Sequence, residues 1–141
     1  MELIAALQDL CKAKSRPTIA IDGPAGAGKT TLAHEIFLAL STKMSVQVIH
    51  MDDLYDGWDN ALTEDLSVIL KYLVGQHEAK SAATIQRYNW ESFAFGESEP
   101  LPIADLLILE GVGSADKEVQ DQLAALIWME IDPEDGLKRV V

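Results

Sequence analysis

Gly23, Gly26, Gly28, Lys29 and Thr30 lie within the run Thr-Ile-Ala-Ile-Asp-Gly-Pro-Ala-Gly-Ala-Gly-Lys-Thr-Thr over 18–31. Their spacing fits G-x-x-x-x-G-K-[ST], with Gly26 as an extra glycine inside it. The residue types suit phosphate. Glycines let the backbone pass close to an anion and take positive φ. Successive N–H groups at a helix N-terminus then form an anion-binding nest. In such a loop Lys29 reaches the β- and γ-phosphates of a triphosphate and the Thr30 hydroxyl ligates Mg²⁺. The expected phosphate cradle is therefore Gly23, Pro24, Ala25, Gly26, Ala27, Gly28, Lys29, Thr30 and Thr31, with ATP and Mg²⁺ as the cofactors.

Two further places carry acids where a phosphate chemist would want them. Val46 to His50 reads as a short apolar strand that runs into Asp52 and Asp53. Leu106 to Leu109 is a continuous apolar run, as in a parallel strand buried on both faces, and it ends in Glu110. In an open α/β sheet, ligands bind beyond the carboxyl ends of the strands. All three acids are therefore candidate site residues, and Glu110 stands where a direct or indirect Mg²⁺ ligand belongs. His34 has no metal partner at ligand spacing and receives no role.

The elements that must position these groups follow from periodicity. Residues 2 to 14 read as an amphipathic helix, with Leu3, Leu7 and Leu10 on one face and Ile4 and Cys11 beside them, ending before Pro17. Thr18 to Ile21 is a strand, and Lys29 to Leu40 a helix with Leu32, Ile36 and Leu40 inward. A third helix starts after the cap Thr63 and buries Leu66, Ile69, Leu70 and Leu73, with Gly75 as its expected stop. Ala83 to Tyr88 reads as a strand, and Tyr88, Trp90, Phe93 and Phe95 form either a small satellite core or a flap for a planar ligand. Val119, Leu123 and Leu126 suggest a helix, Ile127 to Ile131 a strand, and Asp132-Pro133 another helix start. This alternation predicts a three-layer α/β/α fold around a mostly parallel sheet. One domain over 1–141 is expected, a helix over 1–16 followed by an α/β core over 17–141.

Composition narrows the setting. The net charge of −12 opposes non-specific binding to nucleic acid or to anionic membrane. No apolar run approaches the length of a membrane span, and no secretory signal is visible. The single cysteine, Cys11, suits a reducing, cytoplasmic environment.

With these segments in hand, the chain resembles the uridine kinase branch of the P-loop kinases, which also holds phosphoribulokinase-like and pantothenate kinase-like enzymes. The matching segments are 23–30, Asp52 to Tyr55, Tyr88 to Trp90, and the strand ending Glu110-Gly111. The closest likeness is to small bacterial uridine kinase-like proteins, in which Tyr-x-Trp and Glu-Gly-Val-Gly-Ser recur. The resemblance implies an ATP-dependent transfer of the γ-phosphoryl group to a hydroxyl of a small, nucleoside-like acceptor such as uridine. It implies Asp52 as the base facing that hydroxyl, Lys29 at the transferring phosphate, and Thr30, Asp52 and Glu110 around Mg²⁺. Tyr55 and Tyr88 would line the acceptor pocket, with Asp53, Arg87 and Trp90 as further acceptor contacts.

The chain is expected to depart from that family in three ways. Gln86-Arg87-Tyr88-Asn89 stands where Pro-x-Tyr-Asp is frequent, which removes an acidic acceptor contact. The arginine-bearing lid and the last strand have no counterpart after Lys138-Arg139, so the expected core lacks both and leaves a sheet edge through which a homodimer could form. A kinase of another small alcohol, a vitamin or sugar, and a nucleotide-binding module with weak ATPase activity are the competing readings.

Overall fold

The computed structural model describes residues 2–24, 26–55, 64–130 and 138–140. Helix α1 (Glu2–Lys12) precedes strand β1 (Thr18–Asp22), helix α2 (Lys29–Leu40), strand β2 (Val46–His50) and helix α3 (Glu64–Glu78). Four short strands follow: β3 (Ala83–Ile85), β4 (Tyr88–Asn89), β5 (Ala94–Phe95) and β6 (Glu99–Leu101). The chain then adds β7 (Leu106–Glu110), β8 (Ala125–Met129) and β9 (Lys138–Val140).

The main sheet has the order β2-β7-β1-β8-β9. Its first four strands are parallel, and β9 pairs antiparallel with β8. The apolar strands alternate between two cores. Ile19, Ile21, Leu106, Ile108 and Ile127 face α1 and α2, meeting Leu7, Cys11, Leu32, Ile36 and Leu40. Leu107, Leu109 and Ile49 face α3, meeting Leu66, Leu70, Leu73 and Val74. Helices on both faces of a parallel sheet give the expected three layers. Burying both faces also explains why β7 reads as an unbroken apolar run.

Several local expectations are corrected. In α1 it is Leu7 and Cys11 that are buried, with Leu3 and Ile4 packed beside them, and Leu10 turns outward. Gly75 does not end α3, which continues to Glu78 and gives way near Lys80, a residue at φ 54. The expected strand 83–88 divides into β3 and β4, which pair with β6 and β5 in two separate two-stranded sheets, the β4–β5 hairpin lying between β3 and β6 in the chain. No helix forms around Val119. That stretch holds turns and one 3-10 turn over Gln120–Gln122, because Leu126 is drawn into β8. Strand β8 accordingly begins two residues earlier than expected, at Ala125. Where a last helix was expected, residues 138–140 form β9, so the outer edge of β8 is paired rather than open. Thr63, Asp132 and the loop 56–60 lie outside the described residues.

Candidate functional site

Register brings the chemistry together. Glu110 at the end of β7 lies opposite Ile21 of β1 on one side and opposite His50 of β2 on the other. Three parallel strands therefore end level with one another, and the loops carrying Gly23, Asp52 and Gly111 leave from the same rim. The order places β7 between β1 and β2, so the chain reverses direction of travel across the sheet beside β1. Open α/β sheets form their ligand crevice at such a switch point.

From β1 the chain enters the glycine loop. Gly23, Gly26 and Gly28 have φ of 140, 84 and 91, positions that a residue with a Cβ enters only under strain. At Gly23 the need is also spatial, since a Cβ there would meet the Met129 carbonyl oxygen at 2.0 Å. Gly28 then caps α2 with no side-chain hydrogen bond, so the first turn of that helix presents backbone N–H groups free of a side-chain cap. A cleft of about 210 Å³ opens there, lined by Gly26, Gly28, Lys29, Thr30, Thr31, Asp52, Glu110, Gly111 and Val112.

Within the cleft the polar groups are already engaged. Lys29, whose ammonium a phosphate-binding role would expose, is only 7 % exposed, and its Nζ donates to the Pro24 carbonyl at 2.6 Å. The Thr30 hydroxyl donates to Glu110 Oε1, and His50 Nδ1 lies 3.2 Å from Glu110 Oε2. Burial pushes the Glu110 carboxyl up, but the hydrogen bonds from His50 and Thr30 outweigh it and hold it below the ordinary carboxylate range. The same bond to Glu110 raises His50 against the opposing effect of burial. His50 is a member of the site that sequence reasoning missed. The signal was its position as the last residue of a strand pointing at the rim.

Asp52 and Asp53 diverge. Asp52 is exposed in the cleft, and Tyr55 Oη donates to its Oδ1 at 2.9 Å. Burial, then the bond to Asp52, push the Tyr55 hydroxyl well above its usual range, so it stays protonated as the donor. Trp90 Nε1 donates to the Asp52 carbonyl at 3.0 Å, pinning the backbone of the same residue. Asp53 turns away and accepts Arg87 Nη1 at 2.9 Å, while Arg87 Nε donates to Glu99 at 2.7 Å. Arg87 is thus held between two carboxylates rather than presented to an acceptor, and Glu99 leads the causes that raise its pKa. Tyr88 is 8 % exposed and packs edge-on against both Trp90 and Phe95, while Phe95 is 41 % and Phe93 75 % exposed, so of these rings only Tyr88 is buried. Ala25 lies outside the described residues.

A second cavity, of about 390 Å³, is lined by Tyr55, whose hydroxyl donates to Asp52 of the cleft. Leu54, Leu66, Ile69, Ile85 and Phe95 supply its apolar walls, and Asp65, Thr84, Gln86 and Ser98 its polar ones. Among the described residues lining it there is no lysine, arginine or histidine.

The donor set in the first cleft fits Mg²⁺. Thr30 and Glu110 are within one hydrogen bond of each other and Asp52 faces the same space, all oxygen donors. Among the described residues no group of three His, Cys, Asp or Glu side chains could hold a metal by itself. Mg²⁺ has that habit: one or two protein oxygens, with the rest of its shell from substrate phosphates and water.

No protein-family model matches the chain, and no curated protein matches it in sequence. Among solved structures it is similar to one described as a possible uridine kinase from Bacillus stearothermophilus, with 26 % identity and a TM-score of 0.66. The match covers 91 % of this chain and 81 % of that one. No described helix is long and apolar enough to cross a membrane.

Proposed function

We propose, from the premise that this chain is a uridine kinase-like P-loop kinase relative, that it transfers the γ-phosphoryl group of Mg-ATP to a hydroxyl of a small, uncharged acceptor, most simply a nucleoside. The observation that carries the reading is the meeting of Lys29, Thr30, Asp52 and Glu110 in one cleft at an uncapped helix N-terminus, beside a separate cavity of acceptor size. Phosphoryl transfer asks a protein for positioning and charge neutralisation more than for covalent chemistry.

The roles follow from position. The glycine loop and the first turn of α2 bind the phosphates through backbone N–H groups. Lys29 exchanges the Pro24 carbonyl for a phosphate oxygen. Thr30, Glu110 and Asp52 would hold Mg²⁺, which when bound neutralises charge on the transferring group. Asp52 accepts the proton of the acceptor hydroxyl, and Tyr55 and Trp90 keep its carboxylate aimed by fixing one oxygen and the backbone. With Arg87 neutralised by Asp53 and Glu99, the acceptor cavity offers no described cation for a second phosphate. This supports an unphosphorylated acceptor over a sugar phosphate. Cys11, free and buried, agrees with work in a reducing cytoplasm.

The test is ADP release from Mg-ATP with and without a panel of nucleosides and small alcohols. Acceptor-dependent release supports the kinase. Slow release that no acceptor accelerates supports a nucleotide-binding module with weak ATPase activity.

A further inference from the structure

Asp22 is a buried carboxylate that none of the roles above uses. It ends β1, is 6 % exposed, and has no salt-bridge partner among the described residues. Three backbone N–H groups converge on it. Its Oδ1 accepts from Gly23 at 2.7 Å and from Gly113 at 3.1 Å, and its Oδ2 accepts from Ala115 at 2.9 Å. Gly23 opens the phosphate loop, whereas Gly113 and Ala115 belong to the loop after β7, whose Gly111 and Val112 form the facing wall of the cleft. The preceding carbonyl, Ile21, ties the same loop by accepting from Gly111 N at 2.9 Å and from Ser114 Oγ at 2.8 Å.

The geometry points to Asp22 as a positioning residue for nucleotide binding, one carboxylate that sets both walls of the phosphate cleft relative to each other. This rests on the kinase reading above. Only an acceptor with two oxygens and no hydrogens serves three converging donors. A carboxylate buried beside a triphosphate site works against the ligand's charge, a cost that its three bonds to the loops must offset. What the carboxylate supplies is short, charge-assisted bonds in a place where small displacements matter. The phosphate loop binds through several N–H groups at once, and a wall displaced by an ångström loses them together.

The substitution is Asp22→Asn. Asparagine keeps one acceptor oxygen but turns an NH₂ toward an N–H group, losing either the Ala115 bond or those of Gly23 and Gly113 together, and with it the charge that strengthens the rest. The experiment is calorimetric titration with ADP and with Mg-ATP, well below the melting temperature, on the wild type, Asp22→Asn, Lys29→Ala and Ser114→Ala. Ser114→Ala removes a tie of the second loop to Ile21 without touching Gly23, and controls for lost stability. The expected result is at least a tenfold loss of affinity in Asp22→Asn and less than threefold in Ser114→Ala. Wild-type affinity in a less stable Asp22→Asn overturns the inference and leaves the kinase reading standing. A wild type that binds no nucleotide, or a Lys29→Ala variant that binds as well as wild type, overturns the kinase reading and this inference with it. Should Asp22→Asn fail to fold, amide hydrogen exchange on the wild type decides. The Gly23, Gly113 and Ala115 amides should slow together when ADP is added. Protection confined to the Gly23–Gly28 loop overturns the proposal.

Discussion

Replacing Gly23 by alanine should be among the most damaging single changes available, although it adds only one methyl group. The added Cβ would lie 2.0 Å from the Met129 carbonyl oxygen and 3.0 Å from its carbonyl carbon. Ordinary carbon–oxygen contact needs about 3.3 Å, so roughly 1.3 Å must be found. The obstacle is the backbone of β8, held to β1 by parallel pairing from Ile19 to Asp22. No side chain can swing away. The φ of 140 adds strain that glycine does not feel, on the order of 1–3 kcal/mol. Together these predict a loss of about 3–5 kcal/mol, at the upper end for point substitutions. Gly26→Ala is the internal control. Its φ is 84 and its Cβ would meet nothing within 4 Å, so it should cost only about 1–2 kcal/mol of backbone strain. Urea unfolding followed by circular dichroism gives both midpoints. A Gly23→Ala variant no less stable than Gly26→Ala would refute the close approach of the loop to β8.

Gly75→Ala should raise stability by about 0.5–1 kcal/mol in the same urea assay, because Gly75 sits inside α3 and its Cβ would meet nothing within 4 Å. Asp53→Asn weakens the ion pair to Arg87 and should loosen the β4–β5 hairpin while leaving phosphoryl transfer largely intact, read as increased proteolysis near residue 93 with a small change in turnover. His50→Ala should cost stability in the metal-free protein only within a pH window. The raised His50 contributes fully below its unfolded pKa and fades as pH rises through its folded one, and the lowered Glu110 contributes above its unfolded pKa and fades as pH falls through its folded one. The difference from wild type should therefore peak in mildly acidic solution, from about pH 4.5 to 6.5, and disappear in alkali. It should be no more than about 1 kcal/mol because His50 is partly solvated.

What the sequence made legible was set by local rules. The glycine spacing, the strand before it and the helix after it are decided within a dozen residues, and so the loop 23–30 and α2 were readable in advance. The continuous apolar run 106–109 likewise announced a doubly covered strand. The misreadings came where tertiary pairing overrode periodicity. Leu126 has helical spacing from Val119 and Leu123, yet pairing with Ala20 of β1 claims it for β8. Residues 138–140 follow a strong helix start and nevertheless lie on the edge of β8. At the site, sequence could nominate Asp52 and Asp53 but could not tell them apart. Their difference is one of partners: Tyr55 and Trp90 for the first, Arg87 for the second. The Asp22 contacts to Gly113 and Ala115 span more than ninety residues, beyond any local pattern.

The central claim is that Asp52 activates an acceptor hydroxyl at a phosphate site built by Lys29 and its loop. The most direct measurement follows labelled γ-phosphate from ATP into a nucleoside by mass spectrometry, with wild type and Asp52→Asn side by side at matched nucleotide occupancy. The account predicts labelled nucleoside monophosphate from the wild type and a loss of about 10²–10⁴-fold in Asp52→Asn. Transfer at the same rate in both proteins, or label released only as inorganic phosphate from the wild type, would contradict it.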